Sequence, residues 1–125
     1  MRMFRDTNGF TLIEILIATV IITIASLGIA TLTVGVIRGN SFSQRLTTAT
    51  TLAQDRLEQA KRLGYIKVND IAVIENYGSI TNYSGFKRET TVTGNTPGPK
   101  MKTVKVDVYR DIGKPPVSLS TIIGE

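Results

Sequence analysis

One carboxylate stands where carboxylates are rare. Glu14 follows the run Gly9-Phe10-Thr11-Leu12-Ile13 and precedes a stretch, Ile15 to Ile37, in which no residue carries a charge. About 20 helical residues suffice to cross the hydrocarbon core of a bilayer, so the segment from Phe10 reads as a membrane helix. A charge inside such a span costs roughly 2.5 to 3.5 kcal/mol on insertion scales, and intramembrane acids are as a rule paired and functional. The chemistry open to Glu14 is ion pairing in a low dielectric, and it needs a cation. Arg2 and Arg5 are the nearest in sequence. Basic residues at a membrane boundary are also the ordinary positive-inside pattern and need not touch the acid.

Other chemistry finds little support. The 125 residues include no cysteine and no histidine, which removes disulfides, thiolate nucleophiles, the commonest general base and the commonest transition-metal ligand. An enzyme is not expected, and no cofactor is expected. Gly94 to Gly98 lacks the Gly-Lys-Ser/Thr ending and the strand-to-helix setting of a phosphate loop. Asp70, Glu75, Asp107 and Asp111 are too scattered along the chain to argue a calcium or magnesium site.

The basic leader, Gly9-Phe10-Thr11-Leu12-Ile13-Glu14 and the long apolar run together resemble the N-terminal signature of type IV pilins and type II secretion pseudopilins. The resemblance implies a leader, residues 1–9, cut between Gly9 and Phe10 by a membrane-embedded prepilin peptidase that then methylates the new amine of Phe10. It implies a partner for Glu14 as well, the α-amino group of Phe10 in a neighbouring subunit. Other pilin or pseudopilin subunits and an inner-membrane assembly platform are the implied partners. A second stretch, Leu52-Ala53-Gln54-Asp55-Arg56-Leu57-Glu58-Gln59, is similar to the corresponding part of minor pilins and minor pseudopilins. Pilins of this kind often carry a proline near the position of Thr31, and this chain has none.

Two plainer readings stand beside this one. Glu14 at headgroup level in an ordinary signal anchor would be solvated and without a role. Alternatively, Phe10 to Ile24 has the length of a signal-peptide core, with Gly28-Ile29-Ala30 as a cleavage mimic, which would release a plain secreted binding domain. An acid in that core and an apolar tract that continues past Ala30 both argue against it.

The rest of the chain must position this segment. Residues 10–37 are expected to form the transmembrane or filament-core helix, with the small residues Ala18, Ala25, Gly28 and Gly35 allowing close helix packing. Arg38, Gly39 and Asn40 mark the membrane exit. Residues 38–64 read as an amphipathic continuation, with Leu46, Ala49, Ala53, Leu57, Ala60 and Leu63 in one apolar stripe and Gly64 as a left-handed stop. Removing everything to Ile37 leaves roughly 90 residues for a head, a size at which a core is marginal. Residues 65–125 are expected to form it as a small antiparallel sheet of three to four strands against the helix, an α+β fold. Tyr65 to Asp70 reads as a connector, Ile71 to Glu75 as a short strand, and the stretch from Asn76 to Gly85 as a surface loop. Phe86 to Thr93 places Phe86, Arg88, Thr90 and Val92 on one side, with Arg88 spoiling an apolar face. Gly94 to Lys100 is a hairpin connection. The clearest strand alternates Val104, Val106 and Val108 with Lys105, Asp107 and Tyr109, and Val117 to Ile123 supplies the last one.

Charge suggests a rival function. The formal charge is +5, and about +4 without the leader's Arg2, Arg5 and Asp6. Lys87, Arg88, Lys100, Lys102, Lys105, Arg110 and Lys114 cluster in sequence, interleaved with Tyr83, Phe86 and Tyr109. Phosphate neutralisation with aromatic stacking is how proteins hold single strands. Lys87, Arg88, Lys102, Lys105 and Arg110 are therefore candidate nucleic-acid contacts of an uptake pilus; the alternative is that these cations guard strand edges against aggregation.

Overall fold

The computed structural model describes residues 9–125; the leader residues Met1 to Asn8, with Arg2 and Arg5, lie outside the described residues. The order is α1 (Leu12–Lys67), a 3₁₀ turn (Val68–Ile71), β1 (Ile74–Glu75), β2 (Lys87–Gly94), β3 (Met101–Tyr109) and β4 (Val117–Gly124). The chain divides into two compact units, Met1–Asn40 and Ser41–Glu125.

In the first unit, α1 starts where Thr11 can cap it. The Glu14 amide donates to Thr11 Oγ1 at 3.3 Å and the Ile15 amide to the Thr11 carbonyl at 3.2 Å, which satisfies donors that every helix start leaves open. The helix is long and apolar enough to cross a membrane, and none of that span is buried. Its large side chains point out on all sides, from Ile13 and Leu16 to Val36 and Ile37, as suits a helix whose solvent is lipid. The hydroxyls fit that solvent. Thr19, Thr23, Ser26, Thr31 and Thr33 each donate to a carbonyl three or four residues back, at 2.7 to 2.9 Å, so none needs water.

The second unit holds the core. Ala49, Leu52, Ala53, Leu57 and Ala60 of α1 are buried with Val68, Ile71, Ile80, Val104, Val106, Val108 and Ile123. Alanine at three of the helix positions, each fully buried, lets the helix approach the sheet closely. The stripe differs from the expected one at its ends. Leu46 is exposed, Leu63 is only partly buried, and Leu52 and Arg56 join the inner face instead. Gly64 does adopt a left-handed φ of 68°, yet a further helical turn follows it, so Tyr65 to Lys67 belong to α1 and Val68–Ile71 to the 3₁₀ turn rather than to an open connector. Fully buried Val68 is what holds that turn against the core.

The sheet is antiparallel throughout, in the order β1-β2-β3-β4. Val104, Val106 and Val108 face Val92, Thr90 and Arg88 on one side and Thr121, Leu119 and Val117 on the other, so the valine strand lies at the centre of the inner layer. β1 is shorter than expected because Ile71 is spent in the 3₁₀ turn. The surface loop between β1 and β2 is anchored by buried Ile80, and it closes on itself through the Gly78 amide to the Ser84 carbonyl at 2.9 Å.

Arg88 does sit on the core face, and the structure explains how. Its guanidinium grips Glu75 in bidentate fashion, Nε to Oε2 at 2.5 Å and Nη2 to Oε1 at 2.9 Å, while Nη1 donates to the Leu52 carbonyl at 3.0 Å. Arg56 donates to the same Glu75 carboxylate and to Gln59 Oε1. One acid thus ties α1, β1 and β2 together. The Arg88 hydrogen bond holds the Glu75 carboxyl below its ordinary value; burial opposes this and Arg56 adds to it. A folded-state pKa that is lowered contributes stability above the ordinary glutamate value of 4.5, and that stability is lost as pH falls through the lower folded value. Urea midpoints measured from pH 6 downward should therefore drop below about pH 4.5 in the parent chain and show a flatter acid limb in Glu75→Gln.

Candidate processing and assembly site

Gly9 and Phe10 precede the helix, and both are exposed, Phe10 to 81 %. The peptide bond between them lies two residues ahead of Leu12, where no helical hydrogen bond has to break for a peptidase to take the backbone in extended form. A Cβ built on Gly9 meets no described residue within 4 Å, so among the described residues packing does not demand glycine there.

One turn further on, Glu14 is the sole acid of the first helical turn. Thr11 and Glu14 stand in the Ser/Thr-x-x-Glu order of a capping box, but only the threonine half is formed. Among the described residues the Glu14 side chain has no hydrogen-bond or ion-pair partner. Phe10, Glu14, Ala18 and Ile22, spaced by four, share one open face of the helix with Ile15 and Thr19. The carboxylate thus shares an open, largely apolar helix face with Phe10, the residue whose amine would be freed by cleavage at Gly9.

The prokaryotic N-terminal methylation motif matches residues 4–30. The chain carries the processing signal of type IV pilins and pseudopilins. No curated protein and no solved structure matches it. The signal, the exposed apolar helix and the α+β head agree with a pilin-type structural subunit, made as a membrane-anchored precursor for prepilin peptidase and for assembly with other pilins.

The five candidate nucleic-acid contacts of this pilin-type chain do not share a face. Lys87 and Lys105 lie on the outer side of the sheet, each beside a carboxylate two residues along its own strand: Lys87 to Glu89 at 2.5 Å and Lys105 to Asp107 at 2.9 Å. Those carboxylates raise both lysines above their ordinary values. Arg88 and Lys102 lie on the inner side. Arg88 is buried on Glu75, and Lys102 donates to the Tyr65 carbonyl at 2.7 Å with its ammonium 4.4 Å from the Tyr65 ring centre. Arg110 stacks on Phe42, 4.8 Å from the ring centre. Of the flanking lysines, Lys100 pairs with Glu125 and Lys114 with Asp111. What sequence spacing gathered, strand alternation and local carboxylates disperse.

Two local features, one at the helix start and one in the core of residues 41–125, have only partial sequence signals. The threonine cap was visible as Thr11-x-x-Glu14. The Arg56–Glu75–Arg88 cluster had one signal, a charge at an inward strand position, which demands an acid nearby.

Proposed function

We propose that this pilin-type chain is a non-catalytic minor subunit, at the tip or initiating position, of a type IV pilus or a type II secretion pseudopilus. The precursor spans the cytoplasmic membrane once with its leader inside and residues 41–125 outside. Prepilin peptidase cuts between Gly9 and Phe10 and methylates the Phe10 amine. The assembly platform then draws the subunit from the bilayer into a periplasmic or extracellular filament, where the Phe10 amine of a neighbour meets Glu14. Apolar contact with lipid is exchanged for contact with other helices, and the small residues Ala18, Ala25, Gly28 and Gly35 permit their close approach.

The observation that carries this reading is the lone carboxylate at the start of a wholly exposed, otherwise uncharged span, residues 12–37 of α1, without a partner among the described residues. The minor assignment rests on the resemblance of Leu52 to Gln59, a stretch that places Leu52, Ala53, Arg56 and Leu57 on the core face of α1.

Processing is tested directly by mass. The mature chain should begin at Phe10 and carry one methyl group. Gly9→Leu should accumulate as the uncleaved precursor, and because a Cβ at Gly9 meets no other described residue within 4 Å, the fold of residues 41–125 should be unchanged. A Gly9→Leu chain whose mass begins at Phe10 overturns the cleavage assignment.

A further inference from the structure

β3 runs against α1, and its two ends meet the two ends of the amphipathic half of that helix. Near its start, Lys102 donates to the Tyr65 carbonyl at 2.7 Å. Just past its end, the Arg110 guanidinium lies 4.8 Å from the Phe42 ring centre and Asp111 accepts from Arg45 at 3.0 Å. The β3–β4 turn is thereby held at the end of residues 41–125 where α1 enters. Five residues of chain, from Ile37 to Phe42, keep that end within about 18 Å of the last residue of the uncharged run, whatever their conformation.

The turn presents an unusual residue. The Lys114 amide donates to the Asp111 carbonyl at 3.4 Å and Gly113 takes a left-handed φ of 79°. Ile112 therefore occupies the second position of a tight turn, where proline and small polar residues are the rule. It is 88 % exposed, more than any other large apolar side chain of residues 41–125. The other strand connections differ: Ile80 of the β1–β2 loop is buried, and Asn95 to Lys100 between β2 and β3 includes no Ile, Leu, Val or Phe. Beside Ile112 stand three cations, Arg45, Arg110 and Lys114, and one acid, Asp111, which Arg45 and Lys114 share. A lone exposed isoleucine on a soluble protein needs no explanation. One at the apex of a turn, among cations and tethered by a few residues to a membrane span, has a surface within reach.

We propose that in the precursor the β3–β4 turn rests on the bilayer surface, with Ile112 in the interfacial zone and Arg45, Arg110 and Lys114 toward the phosphates of anionic phospholipids. The inference rests on the membrane span proposed above for the precursor. An apolar side chain among cations is matched to an anionic interface, where the two attractions add. One isoleucine would not anchor a free protein. Here the span already confines the turn, so a weak contact is occupied through its raised effective concentration. The contact sets residues 41–125 on the membrane by one end, and it must be released when the subunit leaves the bilayer.

The chain has no tryptophan, so a single substitution supplies a reporter. Ile112→Trp is compared with Ile66→Trp, an 85 % exposed position beside Tyr65, more than about 30 Å along α1 from Phe42. Both are placed in the full-length precursor and reconstituted into vesicles of mixed zwitterionic and anionic phospholipid. Tryptophan favours an interface by itself, but the two variants share that preference, so a difference between them reports position. Flotation comes first: chains that do not float with the vesicles overturn the span, and the inference with it. In floated chains, lipids brominated high on the acyl chain should quench Ile112→Trp at least about twofold more than Ile66→Trp, as expected of a side chain at the headgroup and acyl boundary. Equal quenching of the two in floated chains overturns the inference alone and leaves the span standing. Quenching of Ile112→Trp should weaken in vesicles without anionic lipid, and unchanged quenching there overturns the pairing with phosphates.

Discussion

Glu75→Ala is expected to lower the unfolding free energy of the head by about 3 to 5 kcal/mol, the range for removing one partner of a buried ion pair. The cost comes from what stays behind. Arg56 and Arg88 are both buried, at 8 % and 7 % exposure, and without the carboxylate two guanidinium groups face each other across the helix–sheet seam. Neither arginine can neutralise itself by losing its proton. Replacing all three groups together, as Arg56→Met, Glu75→Leu and Arg88→Met, should instead be near neutral or stabilising, because the desolvation of three charges disappears along with their attraction. The cluster is incompletely satisfied already: Arg56 Nε and the neighbouring inward Thr90 Oγ1 have no hydrogen-bond partner. That tilts the triple variant toward a gain. Urea unfolding of the three chains distinguishes the cases, and a loss below about 1 kcal/mol in Glu75→Ala would mean that the cluster behaves as a solvated surface pair.

The same cluster shows where sequence reading reached its limit. Patterns that depend on one element were legible: Val104, Val106 and Val108 alternate because one face of β3 is core, and Ala49, Ala53, Leu57 and Ala60 recur at three and four because one face of α1 is core. Both were visible without knowing what lay opposite. Arg88 was legible as an anomaly only, since its partner on β1 and the Leu52 carbonyl on α1 become neighbours through tertiary packing. Leu46 fits the helical period as well as Ala49 does, yet the sheet does not cover it. The cationic residues are dispersed for a related reason. Adjacent strand residues point to opposite faces, so Lys87 and Arg88 are neighbours in the chain and strangers in space. The N-terminal methylation motif was legible because it is linear: its residues are consecutive, so no tertiary contact is needed to assemble it.

Glu14 remains open to two physical accounts, and its substitutions separate them. As a residue in the first turn it could serve its own helix, favoured by the positive end of the macrodipole and completing a capping box with Thr11. Glutamine performs the capping half of that task equally well. As the counter-ion of a neighbouring Phe10 amine it needs its charge, and glutamine is then no better than alanine. Our proposal takes the second account; in the structure the Glu14 side chain shares an open helix face with Phe10, Ala18 and Ile22 and makes no bond back to the Thr11 amide. Glu14→Gln and Glu14→Ala are accordingly both expected to insert, to be cut at Gly9 and to accumulate as processed chains in the membrane. Insertion should if anything be easier, by roughly 2.5 to 3.5 kcal/mol once the charge is gone. Recovery in sheared filaments should fall to background for both variants, because a subunit arriving without the carboxylate leaves the neighbour's ammonium unpaired in a dry helix bundle. The informative comparison is glutamine against the parent: filament incorporation at parental levels in Glu14→Gln, with loss only in Glu14→Ala, would assign Glu14 to its own helix and remove the intersubunit pair.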